Sequence, residues 1–557
     1  MATVKTCRET NYRGTRNDAL CLLLSLFATI SQGESSEPRA INLTLTSHLF
    51  DGAEIGHIEI VSKNVFDLEN PDEDKRLYRL ANALHIKTRP DVIESQLLFA
   101  SGDPFQQQQL EETERLLRNN RYLGEAEIRP VKLENGIVDI EVLTIDDWTL
   151  KPSLSFGRGG GETSTAIGLE EDNLFGRGSH IGIECKSNVD RDSMVFVYSN
   201  KNVFGSRYGV AAGFANNSDG YDRQLSLQKP FYSLGSRRAG GFSFNSGQRI
   251  ETLYDRGQVV AEYDHSFRRQ EVFVGWSAGL HKHWTRRWIA GIANDEHMFG
   301  LDGIESDRIG IVPEERRYVY PFVGIELIED DFVKARNIDQ MGRVEDRYLG
   351  ANLSVRLGYS SRQFGSTSNA LHLQSTFGNS TRPSKNSTLL FSGAVHGRFE
   401  DGAAKNLLFS AIARYDVRQS SKRLFHARLA ANVGRNLDID SPIYLGGDNG
   451  LRGYPLRYQG GDKSILITLE QRLFTDWYPF RLFRIGGAAF FDAGRTWGQS
   501  LAGGENLGWL RDVGLGLRIG NSRSSIGRIL HIDLAYPLDG NGDISTVQLL
   551  IEAKRSF

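Results

Sequence analysis

The feature that most constrains this chain is an alternation of apolar and polar residues with period two, sustained from about Trp148 to the C-terminus. In "LGANLSVRLGYS", residues 349–360, one face carries leucine, alanine, valine and tyrosine, and the other carries glycine, asparagine, serine and arginine. Residues 406–418, 512–520 and 530–537 repeat this division. Because side chains alternate between the two faces of a β-strand, the pattern predicts a long series of strands with one apolar face.

The polar face distinguishes two classes of all-β protein. It is rich in glycine and arginine, and the chain holds 59 glycines against 14 prolines. Strands of about 9–11 residues that are apolar outside and polar inside are typical of a membrane barrel. In lipid every backbone N–H and C=O group must be paired, so a sheet crosses only when it is closed. We therefore predict a transmembrane β-barrel over residues 148–557, with a soluble all-β protein as the alternative.

The length of this region predicts the number of strands. About 410 residues, at roughly 25 residues per strand and connection, give about 16 antiparallel strands. Polar stretches at 295–317 and 365–388 are interpreted as long loops. The first and last strands, expected near 163–171 and 545–557, would close the barrel at a weak seam.

Residues 1–33 have the features of a secretory signal peptide. Four basic residues between positions 5 and 16 precede an apolar run at 20–30, and a small-x-small pattern ends at Gly33. An 11-residue run is too short to span a bilayer as a helix, but it suits a secretory signal. A buried N-terminal helix is the alternative.

Residues 34–147 predict a small α+β domain with the order β-α-α-β-β. The segment 55–61 alternates like a strand, and segments 72–86 and 102–123 carry apolar residues at helical spacing. Two further extended segments, 125–134 and 136–145, complete the domain.

Charge and short motifs exclude several functions. The 66 basic and 69 acidic residues nearly balance, so nucleic acid is not an expected partner. The "GWSAG" stretch at 275–279 matches the Gly-x-Ser-x-Gly nucleophile pattern, but its flanks keep the period of a strand instead of turning into a helix. His281 and His283 lack a visible third metal ligand. We expect no enzymatic activity, no cofactor and no metal.

A glycine-rich segment, "GGDNGLRGYPLR" at 446–457, carries Arg452 in its middle. In the two strands that follow, the apolar sets must face lipid, so parity turns Glu470 and Asp492 into the lumen. Arginine forms planar, charge-assisted pairs with carboxylates, and a barrel of this width holds a channel unless something fills it. The pattern predicts an inward loop pinned by Arg452 to Asp492 or Glu470. The alternative is a solvated arginine, with two acids that line water.

These motifs resemble the BamA/TamA superfamily of outer-membrane barrels, which combine POTRA domains with a 16-stranded C-terminal barrel. An Arg-Gly-aromatic loop is followed here by a Phe-x-Asp-x-Gly strand about 40 residues later. The resemblance implies a loop-to-wall contact made by Arg452, Gly453, Tyr454, Glu470, Phe490, Asp492 and Gly494. It also implies that Phe557 is a C-terminal assembly signal. Residues 34–147 have room for one POTRA-like domain, whereas members that assemble or translocate proteins usually carry two or more.

The resemblance also implies a location and a function. The barrel would lie in the outer membrane of a Gram-negative bacterium, with its N-terminal domain in the periplasm. Its function would be to assist the insertion, assembly or translocation of other proteins. The expected partners are outer-membrane lipids, unfolded outer-membrane or secreted clients, and periplasmic accessory proteins. A dedicated two-partner-type secretion pore for one exoprotein and a passive plugged channel or structural barrel are the alternatives.

Overall fold

A computed structural model describes residues 50, 52–71, 73–304, 312–339, 341, 344–500, 504–521, 529–540, 544 and 547–554. The predicted signal peptide, residues 1–33, and the terminal Phe557 lie outside the described residues. None of the helices in these ranges is long and apolar enough to cross a membrane.

The part of the chain before Trp148, here called the N-domain, is a three-stranded sheet with helices packed against it. Strand β3 lies in the centre of the sheet, parallel to β1 and antiparallel to β2. Leu110, Leu117, Val138 and Ile140 are at most 2% exposed and form its core. The elements are β1 (Glu54–Lys63), α1 (Arg76–Leu84), α2 (Pro90–Glu94), α3 (Gln107–Arg118), β2 (Leu123–Glu134) and β3 (Ile137–Asp146). Apart from the five-residue α2, this is the order expected from the periodicity.

The period-two region forms a closed antiparallel barrel, which has 20 strands in the described part of the chain. The barrel strands are β4 (Leu150–Gly159), β5 (Glu162–Glu171), β6 (Ser179–Ser187), β7 (Asp192–Asn200), β8 (Gly209–Asn217), β9 (Gly220–Lys229), β10 (Arg238–Asp255), β11 (Gln258–His281), β12 (Trp284–Gly300), β13 (Arg316–Glu329), β16 (Asn352–Ser360), β17 (Ala370–Ser384), β18 (Ser387–Glu400), β19 (Ala403–Ser420), β20 (Arg423–Arg435), β23 (Lys463–Phe474), β24 (Phe483–Trp497), β25 (Leu510–Asn521), β26 (Ile529–Pro537) and β27 (Gln548–Lys554). Two small hairpins are not part of the barrel wall: β14 (Phe332–Arg336) pairs with β15 (Val344–Tyr348), and β21 (Ile443–Leu445) pairs with β22 (Gln459–Gly461).

The prediction of about 16 strands is therefore wrong, because the strands are not evenly spaced. The six strands β4–β9 fit into residues 150–229, where tight turns connect strands of 9 or 10 residues. The segment interpreted as a loop at 365–388 instead contains β17, and β12 continues to Gly300. An assumed uniform spacing of roughly 25 residues thus underestimates the count.

The outer face of the barrel is apolar, as the alternation predicts. On β11, Val272, Val274 and Trp276 are 55, 59 and 51% exposed, while Gly275 between them is buried. Leu515 and Leu534 are 64 and 54% exposed on neighbouring strands near the C-terminus. A closed sheet pairs all its backbone N–H and C=O groups internally, and apolar side chains on its outer face suit contact with lipid.

The first and last barrel strands close the cylinder with little pairing. Among the described residues, strands β4 and β27 share a single registered pair, Arg158 with Ile551. In contrast, β4 and β5 share ten pairs, and β26 and β27 share seven. The first strand was expected near 163–171, which is instead the second strand, β5. The glycine-rich stretch 157–161 obscures the first strand, because three of its four glycines lie at the end of β4 or in the turn that follows.

The N-domain contacts the strand turns at one end of the barrel, here called the N-domain end. Glu112 Oε1 accepts a hydrogen bond of 2.7 Å from the backbone N–H of Leu234, which lies between β9 and β10. Tyr78 donates its hydroxyl proton to the backbone oxygen of Phe480, between β23 and β24, at 2.6 Å. The loops after β10, β12 and β20 lie at the opposite end, here called the far end.

Candidate functional site

A loop that enters from the far end occupies the middle of the lumen. Residues 436–462 connect β20 to β23, and we call this segment the arginine loop. Strands β21 and β22 form its stem, and its tip folds inward. Leu451 and Tyr454 at the tip are 0% exposed, which shows that the tip is packed against the wall. Their apolar neighbours in this cluster are Leu445, Tyr458, Leu466 and Leu510.

Arg452 lies at the centre of the packed tip. Its Nε and Nη2 donate to Asp492 Oδ2 and Oδ1 at 2.7 and 3.2 Å, and its Nη1 donates to Glu470 Oε2 at 3.0 Å. The guanidinium also stacks on Phe490, with Cζ 3.3 Å from the ring centroid. The side chains of Arg452, Glu470 and Asp492 are only 8, 5 and 0% exposed. A bidentate pair in such a dry environment holds the loop tip strongly, because an unpaired buried charge costs several kcal/mol.

Further charges surround these three side chains. Asp533 Oδ2 lies 3.5 Å from Arg452 Nη1, and Arg518 is ion-paired with Asp533. The backbone N–H of Gly453 donates to Asp512 Oδ2 at 3.0 Å. We call the whole group the buried charge cluster. It comprises Arg452, Arg472, Arg518, Glu470, Asp492, Asp512 and Asp533. The sequence did not indicate that Arg518, Asp512 and Asp533 belong to this cluster, although parity puts all three on polar strand faces.

Gly453, Tyr454 and Gly494, which the sequence also indicated, determine the shape of the tip and its fit to the wall. A Cβ on Gly453 would lie 2.7 Å from Cβ of Asp512, and a Cβ on Gly494 would lie 3.1 Å from side-chain carbons of Leu445 and Leu451. Glycine at both positions allows the loop and the wall to approach closely. Tyr454 donates its hydroxyl proton to the backbone oxygen of Arg511 at 2.8 Å.

The arginine loop also reaches the first strands of the barrel. The N–H of Leu456 donates to the oxygen of Gly160, beside the closing strands, at 3.3 Å. Arg457 forms a bidentate pair with Asp190, in the turn after β6, with both distances 2.8 Å. Burial raises the pKa of Asp190, but the hydrogen bonds and charge of Arg457 outweigh it and hold that pKa below its ordinary value.

A second insert enters the lumen from the N-domain end. Residues 332–348, formed by β14 and β15, turn back between β13 and β16, and we call this segment the luminal hairpin. At its tip, Ile338 and Met341 are 8 and 5% exposed. They pack against the lumenal side chains Leu424, Phe474, Ala488 and Ile529. The sequence did not predict this hairpin, because its apolar and polar residues alternate as they do in two wall strands.

Arginines of the wall bind the tip of the luminal hairpin. Arg414 pairs with Asp339, with Nη2 2.7 Å from Oδ1. Arg418 Nη2 donates to the backbone oxygens of Arg336 and Asn337, both at 2.7 Å. The backbone of the tip is therefore satisfied by side chains of the barrel instead of by water.

Two neighbouring wall residues, Glu470 and Arg472, connect the two inserts. Arg472 Nη1 donates to the backbone oxygen of Ile338 at 3.2 Å, and its Nε donates to Glu470 Oε1 at 2.9 Å. The other oxygen of Glu470 accepts from Arg452. An unbroken series of polar contacts thus links the hairpin tip to the loop tip.

The base of the luminal hairpin is fastened to the N-domain. Arg118 Nε and Nη2 donate to the two carboxylate oxygens of Asp346, both at 2.8 Å. Lys334 pairs with Glu114 at 2.6 Å. Glu114 and Arg118 both belong to α3. A movement of α3 would therefore change the position of the hairpin base.

The serine of the "GWSAG" stretch lies in a continuous strand. Ser277 is part of β11, and its hydroxyl donates to the backbone oxygen of Arg286 on the neighbouring strand at 2.7 Å. This strand context differs from the strand-turn-helix that a nucleophile elbow requires.

Comparison with known proteins identifies the barrel. Residues 337–549 match the Omp85 superfamily domain. This part of the barrel is therefore an Omp85 superfamily domain. The resemblance inferred from Arg452–Tyr454 and Phe490–Gly494 is thereby confirmed. The matched residues include the arginine loop, the hairpin tip and the buried charge cluster. No curated protein sequence matches the chain.

Solved structures with weak similarity can be aligned with most of the chain. BamA from Haemophilus ducreyi, in a form lacking POTRA domains 1–3, is 12% identical over 99% of this chain and 99% of its own, with a TM-score of 0.39. CdiB from Acinetobacter baumannii is 14% identical over 98 and 88%, with a TM-score of 0.44. CdiB from Escherichia coli is 12% identical over 89 and 76%, with a TM-score of 0.48. At these scores the likeness adds nothing to the fold described above.

Proposed function

We propose that this protein assists the insertion of unfolded proteins into the outer membrane, or their passage across it, without enzymatic chemistry. The observation that carries this proposal is that two inserts enter the lumen from opposite ends. Both inserts are held by the Glu470–Arg472 pair. A passive channel has no need of a removable obstruction fastened to a separate domain.

The N-domain supplies a place where an unfolded chain can be captured. Its β1-β3-β2 sheet with helices on one face supports a POTRA-like domain, which we assign to the periplasm. Strand β2 lies at an edge of that sheet, so an extended client strand can pair with its backbone regardless of the client's sequence.

The capture site and the luminal hairpin share one groove. A cavity of about 300 Å³ lies between α3, β2 and the hairpin, and Glu114, Arg118, Lys334 and Arg336 are among its lining residues. A client strand in this groove competes with the Lys334–Glu114 pair and with the Arg118–Asp346 pair. Capture would therefore loosen the base of the hairpin.

Release of the hairpin is the step that couples capture to opening. When the tip leaves, Arg472 loses the oxygen of Ile338 and shifts towards Glu470, in competition with Arg452. The arginine loop, which also touches Gly160 beside the closing strands, would then be held less firmly. The client passes either along the opened lumen or beside the weak seam between β4 and β27.

A reversible cross-link tests this function. Asp339→Cys combined with Arg414→Cys, in a background with Cys185→Ser, places two thiols where the two native side chains pair, and a bismaleimide with a disulfide in its spacer spans the length that the arginine side chain filled. Proteoliposomes holding the cross-linked protein should fail to fold an added outer-membrane client, and a reductant should restore folding. Each single cysteine variant is the control. A cross-linked protein with an unchanged rate of client folding would reject the proposal.

The second candidate function is a dedicated secretion pore for one exoprotein. The 20-stranded lumen, wide enough to hold two inserts, favours passage of a chain through the centre. Depletion of the protein followed by an inventory of the outer membrane separates the two candidates. Loss of many barrels indicates assembly, whereas loss of one secreted protein indicates a dedicated pore.

A further inference from the structure

Two histidines face each other at the far end of the lumen, away from the buried charge cluster. His265 on β11 and His297 on β12 approach with 2.9 Å between Nε2 of the first and Nδ1 of the second. Asp440, from the first part of the arginine loop, joins them. One nitrogen of each ring and one carboxylate oxygen of Asp440 all lie within 4.8 Å of one another.

The outer nitrogen of each ring is directed at a second carboxylate. His265 Nδ1 lies 3.3 Å from Glu251 Oε1, and His297 Nε2 lies 3.4 Å from Asp295 Oδ1. When each outer N–H is directed to a carboxylate, both inner nitrogens carry a lone pair, and two lone pairs 2.9 Å apart repel each other. A cation between them removes that repulsion. Carboxylates behind the imidazoles are also the usual arrangement around a metal.

Asp440 has an oxygen available for such a cation. Its side chain is 8% exposed, and Arg316 pairs with its Oδ2. Oδ1 is buried and has no hydrogen-bond partner among the described residues. A buried carboxylate oxygen without a partner is costly, and coordination of a metal would satisfy it.

We propose that His265, His297 and Asp440 bind one divalent transition-metal ion of the zinc class. Two imidazoles and one carboxylate are ligands that Zn²⁺ prefers, with a fourth position left for water. His297 is 22% exposed on its side chain, which leaves a path by which an ion enters from the lumen. This site is independent of the proposed function.

The ion would fasten the start of the arginine loop to the wall. Ile439, next to Asp440, packs against the cluster that includes Tyr263 and Phe299 on β11 and β12. The metal joins the same loop segment to the same two strands by coordination. Its removal should therefore increase the mobility of the loop stem without touching Arg452.

A second group of His, Asp and Glu side chains differs because a lysine already neutralises its central carboxylate. Asp172 lies with Glu170 and His180 in a comparable cluster. However, Lys151 is buried against Asp172 and already provides its positive charge. At the His265 site the cation of Arg316 occupies only one oxygen of Asp440, which leaves the other for an ion.

Titration of the purified, metal-stripped full-length protein in detergent with Zn²⁺ tests the proposal. Calorimetry should give one saturable equivalent for the wild type. His265→Ala and His297→Ala should each weaken the affinity at least tenfold, and Asp295→Asn should weaken it about 10–100-fold through the second carboxylate. His281→Ala with His283→Ala, an exposed pair at the other end of β11 and in the turn that follows, is the matched control and should bind like the wild type.

Heat-modifiable migration on a gel verifies that each variant remains a folded barrel. Co²⁺ in place of Zn²⁺ gives a second readout, since a tetrahedral site produces visible absorption bands that vanish in His297→Ala. Absence of a saturable equivalent in the wild type would overturn the proposal, and a shared proton would then explain the short nitrogen–nitrogen contact. Unchanged affinity in both histidine variants would overturn it equally.

Discussion

Glu470 and Arg472, two residues apart on the lumenal face of β23, bind inserts that enter the barrel from opposite ends. Glu470 accepts from Arg452 of the arginine loop, and Arg472 donates to Ile338 of the luminal hairpin, while the two residues pair with each other at 2.9 Å. Because all of these side chains are buried, a change at one contact is felt at the other through charges that water does not screen.

Arg452→Ala should destabilise the barrel and release the loop. The substitution leaves Glu470 and Asp492 buried without their main partner, which costs about 3–5 kcal/mol. Urea unfolding followed by gel migration measures the loss, and planar-bilayer conductance should rise. Arg457→Ala in the same loop removes a partly exposed pair and should cost only about 0–1 kcal/mol. Equal stability of the two variants would contradict the central role of Arg452.

Arg452→Ala and Arg472→Ala should not have additive effects. Both remove a donor from Glu470, so the double variant should deviate from the sum of the single variants by about 0.5–3 kcal/mol. The measurement is a double-mutant cycle on the free energy of unfolding. A matched cycle of Arg452→Ala with Arg129→Ala, on the N-domain surface, should be additive. Additivity in both cycles would mean that the two inserts are not coupled.

Asp346→Asn should loosen the luminal hairpin from the N-domain. The variant keeps the shape of the side chain but removes the charge that Arg118 binds with two hydrogen bonds of 2.8 Å. Cross-linking of Asp339→Cys with Arg414→Cys by the same bismaleimide should then be slower, because the tip spends less time at the wall. Arg129→Ala breaks an exposed pair with Glu141 and is the control. An unchanged cross-linking rate would show that the contact with the N-domain does not affect the position of the hairpin tip.

The contact of Arg457 with Asp190 should depend on pH. The folded-state pKa of Asp190 is lowered. The pair therefore stabilises the folded protein fully at a pH above 3.8, the ordinary pKa of the carboxyl, and this stabilisation is lost as the pH falls through the lower folded-state pKa. The stability difference between the wild type and Asp190→Asn, about 0–1 kcal/mol at pH 7, should shrink as the pH falls below 3.8. A difference that persists at the acidic end would contradict the assignment.

The sequence predicts the barrel and part of the site for one physical reason. Lipid requires apolar residues on alternate positions, so parity alone turns Glu470 and Asp492 inward. The same parity applies to Asp512, Arg518 and Asp533, yet nothing local indicates which lumenal charges meet. That depends on how the strands are arranged around the lumen.

Features that depend on register or on pairing choice could not be predicted. Residues 332–348 alternate as wall strands do, and only the paired structure reveals that β14 and β15 pair with each other inside the lumen. His265 and His297 are 32 positions apart, and they meet because β11 pairs Phe267 with His297 and His265 with Phe299. A one-residue change of register would turn one of the rings towards lipid.

A cross-link at the seam distinguishes insertion beside the barrel from passage through it. Arg158 and Ile551 form the one registered pair that the described residues make between β4 and β27, and residues paired in this way lie about 4.5–5.5 Å apart at Cα, within reach of a disulfide. Arg158→Cys with Ile551→Cys, in a Cys185→Ser background, should stop client insertion into proteoliposomes if clients enter through the seam. It should leave luminal secretion intact. The matched lock between β4 and β5, Ser155→Cys with Ala166→Cys, joins strands that stay paired in either route and should have no effect. If the seam lock and this control behave alike while the hairpin cross-link still blocks transport, the client passes through the lumen.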